Sequence, residues 1–209
     1  MISLRKPSAQ RITAYLAGQR DQPLSYDFCG RSRDLLQAEV PSGFVRDHRR
    51  ASLGHGDLAW QRAKDAIRTW VMFRNGWTEL HAPQGPPQNG NVVGMLVRIA
   101  GLWWLNPCRV LYEVDDAGPI KRFGFGYGTL HAHAERGEER FLVEQDAAGE
   151  VWYDLGAFSQ PRNLLVRMCN PWARHIQLRF GRDSAAAMQR YVSQATQVVA
   201  EEASMTSRL

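Results

Sequence analysis

The stretch Arg122-Phe123-Gly124-Phe125-Gly126-Tyr127-Gly128-Thr129 constrains the fold more than any other part of this 209-residue chain. Successive side chains of an extended backbone point to opposite faces, so Phe123, Phe125, Tyr127 and Thr129 share one face and Gly124, Gly126 and Gly128 the other. Glycine inside a regular element is less stable than alanine by about 0.5–1 kcal/mol. A row of three is therefore expected only where something uses the space. Two uses stand side by side: tight packing by another backbone or the C-terminal helix, with sheet curvature, or a ligand lying flat on the bare face. The spacing is not a phosphate loop, because no strand-to-helix turn follows it.

Strand signals flank this segment on both sides. Val92 to Trp104 reads as one long or two short strands, broken by Asn106-Pro107. Arg109 to Val114 alternates, with Val110, Tyr112 and Val114 on one face. Glu139 to Glu144 and Val151 to Phe158 follow, and the short links between strands imply antiparallel pairing, since parallel strands need long crossovers. Before the strands, Ala59, Ala63, Ala66, Ile67 and Trp70 repeat at helical spacing over 57–73, with Asp57 as N-cap and Asn75-Gly76 as the stop. Trp77 to Leu80 reads as extended and 82–91 as a Pro/Gly-rich loop. After Pro161 the apolar spacing turns helical again, through Leu164, Leu165 and Met168, a kink at Asn170-Pro171, and then Trp172, Ile176, Met188, Tyr191, Val192, Ala195 and Val199. The first fifty residues are the least regular, with a short strand at Leu24 to Phe28 and a helical turn at Asp34 to Ala38. The fold class is α+β: an antiparallel sheet with one face covered by a C-terminal helix.

With 44% apolar and 22% charged residues the composition is that of a globular domain, and one domain over 1–209 is expected. No apolar run approaches the roughly 20 residues of a membrane-spanning helix, and no signal-peptide pattern is visible at the N-terminus, so a cytoplasmic protein is expected. Cys29, Cys108 and Cys169 have neither pairing nor zinc spacing and read as buried free thiols. The net charge of +5 is concentrated in residues 1–50, which hold nine Lys and Arg against five Asp and Glu. These alternate with acids and lack interleaved aromatics, so a solvated face, not a nucleic-acid surface, is expected.

Several ordered motifs carry a resemblance. Gly43-Phe44 with Asp47-His48, Leu53-Gly54-His55-Gly56 with Trp60, Asn106 to Val110, Phe123 to Leu130, Gly137 to Phe141, and Ala157-Phe158-Ser159 resemble a domain-of-unknown-function family of bacteria and plants. The match runs over about residues 24–192, leaving 1–23 and 200–209 as peripheral or flexible, and it implies no activity. The layout also resembles the helix-grip architecture of START and Bet v 1-like proteins. That likeness implies a curved antiparallel sheet wrapped around a long C-terminal helix, with a cavity between them.

The expected ligand is accordingly a small apolar or amphipathic molecule held between sheet and helix, with candidate contacts at Trp60, Arg109, Tyr112, Phe125, Tyr127, Thr129, Glu139 and Phe141. Glu139 is either an inward carboxyl, able to orient a head group or act as a base, or an exposed group at a strand start. An acid-base cyclase, isomerase or hydrolase using Glu139 or His48 is the alternative, and a module contacting an anionic partner through the basic N-terminal quarter is a third. No cofactor and no metal are expected. His131 and His133, near Glu135 and Glu138, can be written as zinc ligands but lie in a loop without a third histidine. Ser52, His55 and Asp47 can be written as a triad but lack a nucleophile elbow, and loop hydrogen bonds account for them.

Overall fold

The computed structural model describes residues 1–162 and 170–206, with side chains at 170–173 and 195–206 left aside. Along the chain run β1 (Ile2–Ser3), α1 (Ala9–Ala17), β2 (Val45–His55), α2 (Gly56–Arg68), β3 (Thr78–His81), β4 (Val92–Ile99), β5 (Leu102–Asp116), β6 (Lys121–Thr129), β7 (Glu135–Gln145), β8 (Glu150–Pro161) and α3 (Asn170–Thr206). Short 3-10 turns lie at Arg31–Asp34 and Val71–Phe73. All strand pairs are antiparallel, in the order β2-β8-β7-β6-β5-β4-β3, with β1 beside β5. Strands β3 to β8 are a meander, and β2 closes the far edge. The sheet curls into a half-barrel whose concave face receives α2 and α3, as the helix-grip resemblance implies.

The aromatic row of β6 builds the main core. Phe125 stacks on Phe141 at 5.1 Å and meets Trp70 at 5.0 Å, and Ala63 and Ile67 of α2 and Met188 and Val192 of α3 close over them. Full burial of one such side chain contributes about 1.5–3 kcal/mol. A second, smaller core lies on the convex face, where Ile12 and Leu16 of α1 cover Leu96, Leu105 and Leu130. Ile12 and Leu16 thus tie α1 to the sheet.

The glycine row faces outward; tyrosine rings, not α3, fill the space above Gly126 and Gly128, and Gly124 lies against Phe141 and Leu142 of β7. A Cβ on Gly126 would lie 2.3 Å from Cζ of Tyr112, and one on Gly128 would lie 2.0 Å from the Tyr26 hydroxyl. Tyr112 reaches this face through a bulge in β5: Val110 pairs with Tyr127 and Tyr112 with Gly126, leaving Leu111 as the extra residue. The strict alternation expected for Arg109 to Val114 is corrected there, because Val110 joins the concave core while Tyr112 lies outside.

Other boundaries also moved. Asn106-Pro107 does not end a strand; the turn is at Ala100-Gly101, both at positive φ, and β5 runs straight through the proline. The Pro107 carbonyl accepts from the Leu130 amide, so its missing N–H points to the side where β6 has already ended at Thr129. Helix α2 stops at Arg68, well before Asn75-Gly76, and His55, not Asp57, occupies its N-cap. Trp70 adopts a left-handed backbone, φ 58°, held by its indole N–H on the Gly85 carbonyl and its ring on Phe125. Leu24 forms only an isolated bridge to Leu130. The edge strand β2, with its charged run Arg46 to Arg50, carries no alternating apolar signal, a composition suited to a strand with one free edge. Cys29 is exposed, Cys108 is buried, and Cys169 lies outside the described residues, as do Leu164, Leu165 and Met168.

Gly126→Ala is expected to destabilise the fold by about 1–3 kcal/mol, the usual cost of overpacking, because the Tyr112 ring has to move. Urea denaturation measures this. A variant as stable as the parent shows that the ring can swing away freely, and that the glycine row is not required by packing.

Candidate functional site

A cavity of about 400 Å³ lies between the concave face and the first turns of the described part of α3. It falls within the usual size of a small-molecule site. Met95, Val97 and Ile99 of β4, Trp104 of β5 and Trp77 just before β3 form one apolar wall. Leu155 and Ala157 of β8 face Ile176 and Phe180 of α3 to form the other.

The polar groups gather along β6, β7, β8, β2 and α3. Residues 135, 137 and 139 alternate onto the concave face, so Glu135 and Glu139 both enter the cavity. The Tyr127 hydroxyl donates to Oε2 of Glu139 at 2.6 Å. Gln177 donates to both oxygens of Glu135 at 2.8 Å and to the Ser159 hydroxyl at 3.0 Å, and Arg174 pairs with Asp47. Burial pushes the Glu139 carboxyl up to about 7 despite the Tyr127 hydrogen bond, with Glu135 and Asp47 adding in the same direction. Glu135 is raised chiefly by burial too. His133 is pushed down to about 4, again chiefly by burial, and its Nδ1 accepts from the Glu135 amide, so the neutral ring carries its proton on Nε2.

The structure brings Tyr127, Thr129 and Glu139 to this cavity, although the Thr129 hydroxyl is engaged by Ser25 and Gly137. Trp60, Phe125 and Phe141 lie in the solid core. Arg109 is on the convex side, donating to the carbonyls of Arg20 and Gln22, and Tyr112 sits over the glycine row with its hydroxyl on Ser32. His48 lines the cavity edge, but its ring turns to Asp154 at 2.7 Å, within a convex-face network that includes Arg140 and Arg50. That geometry removes His48 as a base in the cavity. Sequence reasoning missed Gln177 and weighed Glu135 and Asp47 only for a zinc set and a triad; the surface the three share depends on the placement of β2 and α3. His131 bonds the Pro23 carbonyl while His133 bonds the Glu135 amide, and His55 bonds the Ala148 carbonyl, so neither the zinc set nor the serine triad is assembled.

Glu138 shows how far one residue along a strand changes the chemistry. Its carboxylate points outward and accepts from Tyr26, from the Gly30 and Ser32 amides and from the Ser32 hydroxyl, at 2.7–3.0 Å. It is an anchor for the segment that covers the convex face.

Residues 25–187 match the family model described as Domain of unknown function (DUF1990). A UPF0548 protein of Deinococcus radiodurans is 38% identical over 200 residues, covering 91% of this chain and 98% of that protein. A UPF0548 protein of Dictyostelium discoideum is 32% identical over 207 residues, covering 92% and 96%. One of Arabidopsis thaliana is 32% identical over 155 residues, covering 72% and 75%. Among solved structures, hypothetical protein jhp0584 of Helicobacter pylori aligns with TM-score 0.51 and 10% identity, covering 81% of this chain and 99% of that one. A norcoclaurine synthase point mutant of Thalictrum flavum in complex with a transition-state analogue aligns with TM-score 0.50 and 10% identity, covering 76% and 99%. These likenesses show a Bet v 1-like fold. Among the described residues no helix is long and apolar enough to cross a membrane.

The raised Glu139 carboxyl has a stability consequence of definite sign. Between its ordinary value of 4.5 and about 7, the folded chain keeps a proton that the unfolded chain has released. Stability therefore falls as pH rises through that window on account of this group. Glu139→Gln is expected to flatten the slope, gaining stability relative to the parent between pH 5 and pH 8 in urea denaturation. A parent-to-variant difference equal at both pH values contradicts the assignment.

Proposed function

We propose that this chain, which belongs to the DUF1990 family, binds a small apolar or amphipathic molecule in the cavity between its sheet and α3. The observation that carries this reading is an apolar-walled space of about 400 Å³ whose polar groups gather around Glu139, Tyr127, Glu135 and Gln177. Burial of the ligand's apolar surface, at roughly 25 cal/mol per Å², supplies the driving force, and the polar groups set its orientation.

A second reading has one specific observation in its favour. A carboxyl raised to about 7 and hydrogen-bonded to a tyrosine is poised to exchange a proton near neutrality, which suits an acid-base cyclase, isomerase or hydrolase with Glu139 as the working group. Incubating a metabolite extract with the parent or with Glu139→Gln separates the two readings. Conversion by the parent alone favours the enzyme, and an unchanged extract favours a binding protein. The basic N-terminal quarter gives little support to an anionic partner, because Arg46 donates to the Ala38 carbonyl, Arg50 pairs with Glu144, and Arg31 and Arg33 lie over the Phe28 and Tyr112 rings.

Titration with Nile red, a neutral apolar dye, tests the binding reading. Saturable 1:1 binding with blue-shifted emission is expected. It should weaken at least tenfold in Ala157→Phe, which fills the cavity, and hold in Trp103→Phe, a change outside it. Absence of saturable binding in the folded parent, or equal binding by the filled variant, contradicts it.

A further inference from the structure

The polar groups of the cavity carry an unbalanced charge. Around Glu139 are Tyr127 from β6, Cys108 from β5, Tyr153 from β8, Glu135 from its own strand and Asp47 from β2; Arg49 of β2 and His133 of the loop before β7 line the same cavity, and Arg174 of α3 lies near Glu135 and Asp47. Burial keeps Tyr127, Cys108 and Tyr153 protonated and His133 neutral. Arg174 is committed to both oxygens of Asp47, and Arg49 is exposed on the edge strand. Among the described residues, Glu135 and Glu139 take part in no ion pair: their hydrogen-bond partners are an amide and a phenol.

Two carboxyls in an apolar cavity are costly when ionised, and the two cations near them, Arg174 committed to Asp47 and Arg49 exposed at the rim, form no ion pair with either among the described residues. The carboxyls either keep their protons or receive a positive charge from the occupant. A calcium or magnesium ion, which calls for about six oxygen ligands, is a poor candidate, and the described residues form no group of three or more His, Cys, Asp or Glu side chains able to hold a metal. An anionic head group at Glu139 meets a like charge, to which Glu135 and Asp47 add at longer range. A neutral donor gains one ordinary hydrogen bond, whereas an ammonium gains a charge-assisted one and balances the carboxylate.

Resting on the reading of the cavity as a ligand site, we propose that its ligand is an apolar or aromatic body bearing a single protonatable nitrogen, which Glu139 receives. The Tyr127 hydroxyl, already on Oε2 of Glu139, holds that carboxyl in place and leaves Oε1 for the ligand. The apolar walls formed by Trp104, Met95, Val97 and Phe180 take the body.

Three naphthalenes that differ only in the head group test this: 1-naphthylmethylamine, 1-naphthalenemethanol and 1-naphthoate, titrated calorimetrically into the full chain and into Glu139→Gln at pH 8. The amine is expected to bind at least tenfold more tightly than the alcohol, with the carboxylate weakest. In Glu139→Gln the amine should fall to within threefold of the alcohol, whose own binding is retained and shows that the variant is folded. Amine affinity in the parent should also drop several-fold from pH 8 to pH 6, as Glu139 takes up a proton. Equal binding of amine and alcohol, tightest binding of the carboxylate, or an amine preference that survives in Glu139→Gln each overturns the proposal and leaves the cavity reading standing. Failure of all three to bind removes both.

Discussion

Two tyrosine rings pressed onto a row of glycines hold the rest of the structure in place. Tyr112 lies over Gly126 and Tyr26 over Gly128, each too close for a side chain to intervene. The first is delivered by the bulge in β5, the second by a segment whose donors converge on the Glu138 carboxylate. Together they seal the convex face with the protein's own atoms. The aromatic row of the same strand then faces inward, where Phe125 fills the core and Tyr127, one step further along that face, reaches the cavity. One strand therefore supplies both the packed part of the concave face and the open part.

Much of this was legible in the sequence. Strict alternation identified β6, short links identified antiparallel neighbours, and the alanine stripe identified α2. What escaped has physical reasons. A bulge changes the facing of every residue beyond it without leaving a mark in composition, so Tyr112 was assigned with Val110 although the two lie on opposite faces. Proline was read as a strand breaker at Pro107, yet the cost of its missing N–H vanishes where the neighbouring strand has ended. Strand β2 was invisible because an edge strand tolerates charge, and with it went Asp47 and the correct environment of His48.

The candidate site was legible where it depended on β6 and β7 and obscure where it depended on β2 and α3. Period-two geometry makes Tyr127 and Glu139 candidates but leaves open which face of β7 is inward; the pairing of the two across β6 and β7 decides it. Trp60, Phe125 and Phe141 were named for their apolar character, which does not separate a filled core from a cavity wall. Glu138 and Glu139 make the general point: adjacent, chemically identical groups differ because one meets four donors on the sealed face and the other a single phenol in an apolar space. Burial without countercharge raises Glu139 toward neutrality and gives the cavity its polar end.

Ligand binding in this cavity requires the space between sheet and α3 to be open. A crystal structure of the protein grown with 1-naphthalenemethanol tests that most directly. Ring density between Trp104, Met95 and Phe180, with the hydroxyl toward Glu139, is the expected result. A space closed by the inward collapse of Trp77 or Phe180, with the ligand absent or bound only on the outer surface, would contradict it.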